Sequence, residues 1–156
     1  MKQRVYIDTS VIGGCFDHEF EEWSNKLFDE FNNGRKIAVL SDITLDELTN
    51  APKRVRQIIE TMPEHTFEIF ASDNESEELA NKYLLDKAVT EKYYEDALHI
   101  AIATIQQVHV LASWNFKHIV NLEKIKLYNA VNLKNSYPMI EIRTPREIIY
   151  FIENED

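Results

Sequence analysis

Cysteine is almost missing from this chain: Cys15 stands alone, so no internal disulfide can form, which fits a reducing compartment such as the cytoplasm. Three glycines and four prolines, spread thinly, leave no Pro/Gly/Ser-rich stretch to serve as a linker. One domain over residues 1–156 is therefore expected, long enough to bury a proper core. No apolar run approaches the ~18 residues of a membrane span, so no membrane contact is expected. The start, Met1-Lys2-Gln3-Arg4, runs straight into a predicted strand and suggests no signal peptide. No repeat or low-complexity segment interrupts the pattern, apart from an acidic end, Glu153-Asn154-Glu155-Asp156, expected to fray. Positive charge is also short: 17 Lys and Arg against 27 Asp and Glu leave a net charge of −10. That balance argues against a protein that grips nucleic acid by neutralising phosphates directly. It leaves open a nuclease whose acids hold cations that in turn hold the phosphate.

What is present is alternation of two periodicities. Short apolar runs predict strands over residues 4–8, 37–40, 66–70, 108–112 and 139–142. Between them lie helical patterns. Phe20, Trp23, Leu27, Phe28 and Phe31 share a face, with Gly34 placed to end that helix. Helical residues resume at Thr44, and Pro52 can open a further helix carrying Val55, Ile58, Ile59 and Met62. Ser72-x-x-Glu75 reads as a capping box for a helix to about Ala88. The segment from Ala97 to Ile105 is apolar nearly all round, and so predicts a central helix. Asn121 caps a helix from Leu122, and Thr144-Pro145-Arg146-Glu147 opens the last one. Strands alternating with helices point to an α/β fold, a three-layer α/β/α sandwich around a mainly parallel sheet.

The chemistry lies in polar residues placed after strands. Asp8 closes the first strand, at the edge where open α/β sheets bind ligands. Its plain alternative is an Asx turn, which the following Gly13-Gly14 would suit. Glu47 either belongs to a site or completes a capping box with Thr44. Asp96 sits at the front of an apolar helix, where the helix dipole favours an acid. If residues 92–95 extend that helix backward, Asp96 instead enters the core, at a cost of several kcal/mol unless paired or metal-bound. His99, three residues on, is placed to bond Asp96, touch substrate, or be satisfied by a core carbonyl. Asn115 follows the strand ending near Ala112 and has the alternative of a cap. Trp114 and Phe116 read as packing anchors rather than base-stacking platforms, and Lys53, Arg54 and Arg56 as a solvated helix face. Together, three acids and an amide read as a divalent-metal site.

Four segments carry a resemblance. Tyr6-Ile7-Asp8-Thr9-Ser10, Thr44-Leu45-Asp46-Glu47-Leu48, Glu95-Asp96-Ala97-Leu98-His99-Ile100-Ala101 and Ala112-Ser113-Trp114-Asn115-Phe116-Lys117-His118 resemble, in order, the motifs of PIN domains, among them the VapC-like toxin ribonucleases. The resemblance spans Val5 to about Ile142. It implies an α/β/α sandwich, a cluster of acids at one sheet edge, and a metal-dependent endoribonuclease acting on single-stranded or structured RNA. As catalytic residues it implies Asp8, Glu47, Asp96 and Asn115, with Asp8, Asp96 and Glu47 toward Mg²⁺ or Mn²⁺ and Thr9, Ser10 and His99 toward substrate. It also implies an antitoxin partner and allows a homodimer. Asn115 departs from the pattern, which has an acid there. An amide binds a hard cation weakly and brings no charge. That departure favours a rival reading, a non-catalytic module that binds protein or RNA. A phosphotransferase using Asp8 as nucleophile is weaker, since Ser10 stands where such a site has a second Asp.

Overall fold

Along each inner strand the side chains alternate between two apolar clusters. In β1 (Gln3–Ile7), Tyr6 joins one cluster while Val5 and Ile7 join the other. β2 (Lys36–Ser41) divides Val39 from Ala38 and Leu40, and β4 (Val110–Ala112) divides Leu111 from Val110 and Ala112. A sheet apolar on both faces has to be covered on both. With β3 (Phe67–Phe70) and β5 (Ile142–Arg143) at the edges, five parallel strands run in the order β3-β2-β1-β4-β5. The computed structural model describes residues 1–153, so Asn154, Glu155 and Asp156 of the acidic end lie outside the described residues.

One face is covered by α5 (Asn74–Leu85), α6 (Tyr94–Ile105) and α7 (Leu122–Lys134), which bury Leu79, Tyr83, Ile100 and Tyr128. The other is covered by α1 (Thr9–Gly14), α2 (Glu21–Asn32), α3 (Asp42–Leu48), α4 (Lys53–Glu60) and α8 (Pro145–Glu153), through Ile12, Leu27, Phe31, Leu48, Ile59 and Ile148. Each large side chain so buried contributes about 1.5–3 kcal/mol. The three-layer α/β/α sandwich is the observed architecture. No described helix is long and apolar enough to cross a membrane.

Several local expectations are corrected. Gly13 and Gly14 do not form a turn; they finish α1, which Asp8 caps. The capping box of α5 is Asp73 with Ser76, one residue past the expected pair, because Ser72 is drawn away to bond both carboxylate oxygens of Asp42. That helix ends at Leu85, ahead of Lys87 at φ 62°. The fourth strand begins only at Val110, and the last holds only Ile142 and Arg143, leaving Met139 65% exposed. Pro52 is the cap of α4 and not its first residue. The C-terminal box forms as expected: Thr144 N–H reaches Glu147 Oε1 at 3.1 Å and Glu147 N–H reaches Thr144 Oγ1 at 3.2 Å.

The sheet order places the site. The chain builds β1, β2 and β3 outward in one direction, then returns to lay β4 on the other side of β1. Ile7 and Ala112 are in register, so Asp8 and Ser113 emerge side by side at the topological switch point, where α/β sheets hold ligands.

Candidate active site

Asp8 is 5% exposed and is held from three directions. Its Oδ1 accepts from Ser10 Oγ at 2.6 Å and Val11 N–H at 3.3 Å, and its Oδ2 accepts from Ser113 Oγ at 2.6 Å. Each serine hydroxyl is itself oriented by a peptide N–H, Trp114 N onto Ser10 Oγ and Asn115 N onto Ser113 Oγ, both at 2.9 Å. A hydroxyl that accepts from the backbone has its one proton free for the carboxylate. Burial pushes the Asp8 carboxyl above its ordinary value, against the opposing pull of His99, the two serines and the Val11 N–H.

Glu47 does not close a capping box with Thr44. Its Oε1 lies 2.8 Å from His99 Nε2 and its Oε2 accepts from Thr9 Oγ1 at 2.8 Å, while the Thr44 hydroxyl donates to Ile7 O. His99 is 2% exposed and pairs with Glu47 rather than Asp96. Its Nδ1 sits 2.6 Å from the Tyr6 hydroxyl, which is 2.7 Å from Ser41 Oγ. Burial pushes the Tyr6 phenol well above its ordinary value, so it stays protonated. With a neutral ring donating from Nε2 to Glu47, Tyr6 donates into Nδ1. With a charged ring, Nδ1–H donates to Tyr6 and Tyr6 donates to Ser41. Both states keep the two ring nitrogens and the Tyr6 hydroxyl bonded. Burial alone would lower His99; its bond to Glu47 and the charges of Asp8, Glu47 and Asp96 reverse that and raise it. Burial alone would raise Glu47, and the His99 and Thr9 bonds bring it below its ordinary value.

Asp96 is different. It is the third residue of α6, half-buried, and has no hydrogen-bond donor among the described residues. Burial first, then the charges of Asp8, Glu47 and Glu95, push it up to about 6, with His99 opposing. It opens onto a depression of about 480 Å³ lined by Lys92, Tyr93, Tyr94 and Glu95. Nearby, His118 stacks on Tyr93 at 3.6 Å, and its Nδ1 is buried without a partner among the described residues. Burial and then Lys117, Lys124 and Lys92 hold His118 below its ordinary value, which marks a local cluster of positive charge in an acidic protein.

Asn115 caps a turn: its Oδ1 accepts from Lys117 N at 3.2 Å and His118 N at 3.0 Å. Three polar partners of the site were not singled out by sequence reasoning: Tyr6, Ser41 and Ser113. The signal for Ser113 lay in the register, since it follows a strand parallel to the one that Asp8 follows. Tyr6 and Ser41 read only as strand residues.

The donor set suits a hard cation by chemistry: carboxylate oxygens, with Asp96 unpaired and within reach of the charges of Asp8 and Glu47. Among the described residues no three His, Cys, Asp or Glu side chains converge closely enough to hold a metal ion. The fit is thus to an ion carried by one or two carboxylates and several waters, the usual habit of Mg²⁺.

No protein-family model and no curated protein sequence matches the chain. Solved structures do. VapC20 of Mycobacterium tuberculosis, described as a sarcin-ricin loop cleaving toxin, superposes with a TM-score of 0.55 at 14% identity over 73% of this chain and 92% of its own. DNA-bound VapBC from Salmonella typhimurium gives 0.56 at 17% identity over 93% and 99%. VapBC2 from Rickettsia felis, bound to a fragment of its promoter, gives 0.55 at 14% over 91% and 98%. The fold is that of a VapC-like PIN domain. Within the PIN-domain fold, Asp8 and Asp96 occupy the C-terminal end of β1 and the first turn of α6.

Proposed function

We propose that this chain is a metal-dependent endoribonuclease, acting on single-stranded or structured RNA in the cytoplasm as the toxin of a toxin–antitoxin pair. The observation that carries the reading is Asp96: a half-buried, unpaired carboxylate pushed up to about 6 by burial and by the charges of Asp8 and Glu47 at a topological switch point. Asp8 and Asp96 would hold Mg²⁺ or Mn²⁺, with Glu47 binding through water or orienting one. The ion supplies charge for the scissile phosphate and lowers the pKa of a bound water.

The chain's own residues supply the rest. Ser10 and Ser113 fix both oxygens of Asp8, so the carboxylate meets its ligand without reorganising. His99 and Thr9 keep Glu47 ionised and aimed. Asp96, held up to about 6 while no ion is bound, takes either a proton or the ion, so acid competes with metal there. Lys92, which lines the depression beside Asp96, gathers with Lys117 and Lys124 around His118, a local positive charge suited to a phosphate backbone against the adverse net charge. This reading takes an antitoxin segment covering the acidic edge as a partner and allows a second copy of the chain.

A second reading, a non-catalytic PIN-like module that binds protein or RNA, is favoured by Asn115, whose amide caps a turn where the family pattern has an acid. Incubating labelled RNA with purified protein in Mg²⁺, Mn²⁺ or chelator separates the two. Cleavage that needs the ion and is lost in Asp8→Asn supports the nuclease; no cleavage with any ion supports the binding module.

A further inference from the structure

Trp114 and Phe116 lie two residues apart, and the structure gives them opposite duties. Trp114 is 8% exposed, stacked on Phe20 with ring centroids 4.3 Å apart, and donates from Nε1 to Ser24 Oγ at 2.9 Å. It is a packing anchor. Gly14 permits this seat, since a Cβ there would stand 2.8 Å from Trp114 Nε1 and 2.5 Å from Ser24 Oγ. Phe116 is 51% exposed and only tilts against its neighbours, 6.1 Å from Phe20 and 6.2 Å from Trp114. With Trp23 and Arg146 these rings line a groove of about 370 Å³. The Arg146 guanidinium lies 5.7 Å from the Trp23 ring centroid.

Resting on the ribonuclease reading, we propose that this groove is a nucleobase-binding subsite, with Phe116 as its stacking face. Three observations lead there. First, the groove is joined to the acids by a short polar chain: Trp114 N–H donates to Ser10 Oγ, and Ser10 Oγ donates to Asp8. Phe116 thus stands on the loop after β4, three residues from Ser113, whose hydroxyl binds Asp8. Second, the lining is four aromatic rings and one exposed cation, with Thr144 and the carboxylates of Glu19 and Glu147 at its margin; rings with a cation hold single-stranded nucleic acid by its π-faces and backbone. Of the two lining carboxylates, Glu147 is engaged by the Thr144 cap and by Arg143, and Glu19 is exposed to solvent. Third, the volume lies at the low end of the ~300–1,000 Å³ of small-ligand pockets. Two turns of a partner helix with side chains fill on the order of 900 Å³ and do not enter it.

The chain has two tryptophans, Trp23 and Trp114, and both line this groove, so tryptophan fluorescence, excited beyond the tyrosine band, reports on it. The four nucleoside 5′-monophosphates and a short single-stranded RNA are titrated in chelator, with inorganic phosphate as control. Saturable quenching by at least one nucleotide and by the RNA is expected, with no response to phosphate. Phe116→Ala weakens it about tenfold or more, Phe116→Tyr restores it, and Asp8→Asn leaves it in place. Equal quenching of wild type and Phe116→Ala overturns the subsite, as does a response to phosphate alone. Quenching by an amphipathic helical peptide but by no nucleotide overturns it in favour of a protein-docking face. Metal-dependent cutting without quenching overturns the subsite and leaves the nuclease standing. Quenching without cutting under any ion supports the base site and overturns the nuclease.

Discussion

The imidazole of His99 holds the carboxylate of Glu47 at 2.8 Å from inside the core. The bond ties α6 to α3 beneath the acidic edge, and the Tyr6 hydroxyl on the far side of the ring ties both to the sheet. His99→Ala leaves a cavity and strips two polar groups of a partner. A loss of about 2–4 kcal/mol is expected in chemical denaturation. Tyr6→Phe removes one hydroxyl and is expected to cost about 1–2 kcal/mol. Equal stability of Tyr6→Phe and wild type would mean that water replaces the bond.

Asp96 gives the protein a pH signature. Its folded value of about 6 stands above the ordinary 3.8, so the folded state binds the proton more tightly than the unfolded one. Stability is therefore greatest while Asp96 is protonated and declines as pH climbs through that window. Asp96→Asn removes the decline and gains on the order of 1 kcal/mol at pH 7, after allowance for solvent screening. Thermal melts from pH 4 to 8 check this; parallel profiles for both proteins refute it. Mn²⁺ is expected to raise the wild-type melting temperature at pH 7.5 and hardly at pH 5.

Asp8→Asn keeps the shape of the side chain while removing the charge that the two serines support. The far-UV dichroism is expected to be unchanged. Mn²⁺ affinity and RNA cleavage are expected to fall together, cleavage by about 100-fold or more. Cleavage that persists in the variant or in chelator assigns it to another mechanism or to a contaminant.

Asn115→Asp retains the cap, since a carboxylate oxygen accepts from Lys117 N and His118 N as the amide does. The added charge acts on the ion through space. Calorimetric titration is expected to show Mn²⁺ binding tightened a few-fold, about 0.5–1 kcal/mol. Identical affinities would leave Asn115 as a cap alone.

The layers of the fold were legible because both patterns survive in the sequence: Val5, Tyr6 and Ile7 form a short apolar run, as a strand buried on both faces must, and Leu27, Phe28 and Phe31 share a face. Edges were less so. Ser72 and Ser76 look alike along the chain, and only the tertiary bond from Ser72 to Asp42 decides which one caps α5. α1 escaped notice because two of its six residues are glycines, poor helix formers held here by the Asp8 cap and by packing of Val11 and Ile12. In the site, Asp8, Glu47 and Asp96 were visible as acids after strands or early in helices. Their partners were not: sequence spacing suggested His99 for Asp96 and Thr44 for Glu47, and long-range contacts override both. Ser113 reaches Asp8 across 105 residues, a relation that no local pattern encodes.

That separation also sets an order in time. β1 is central, yet its second neighbour, β4, is made about 100 residues after it. Pairings between residues so distant form slowly, because the loop must close before any contact rewards it. During synthesis Asp8 is exposed first and anchored last, when Ser113 and the Trp114 peptide arrive with β4. A nascent chain, or one truncated before residue 110, holds Asp8 and Glu47 without the strand that seats Asp8. Competence at this edge arises only once β4 and the residues after it have left the ribosome, a delay built into strand order itself.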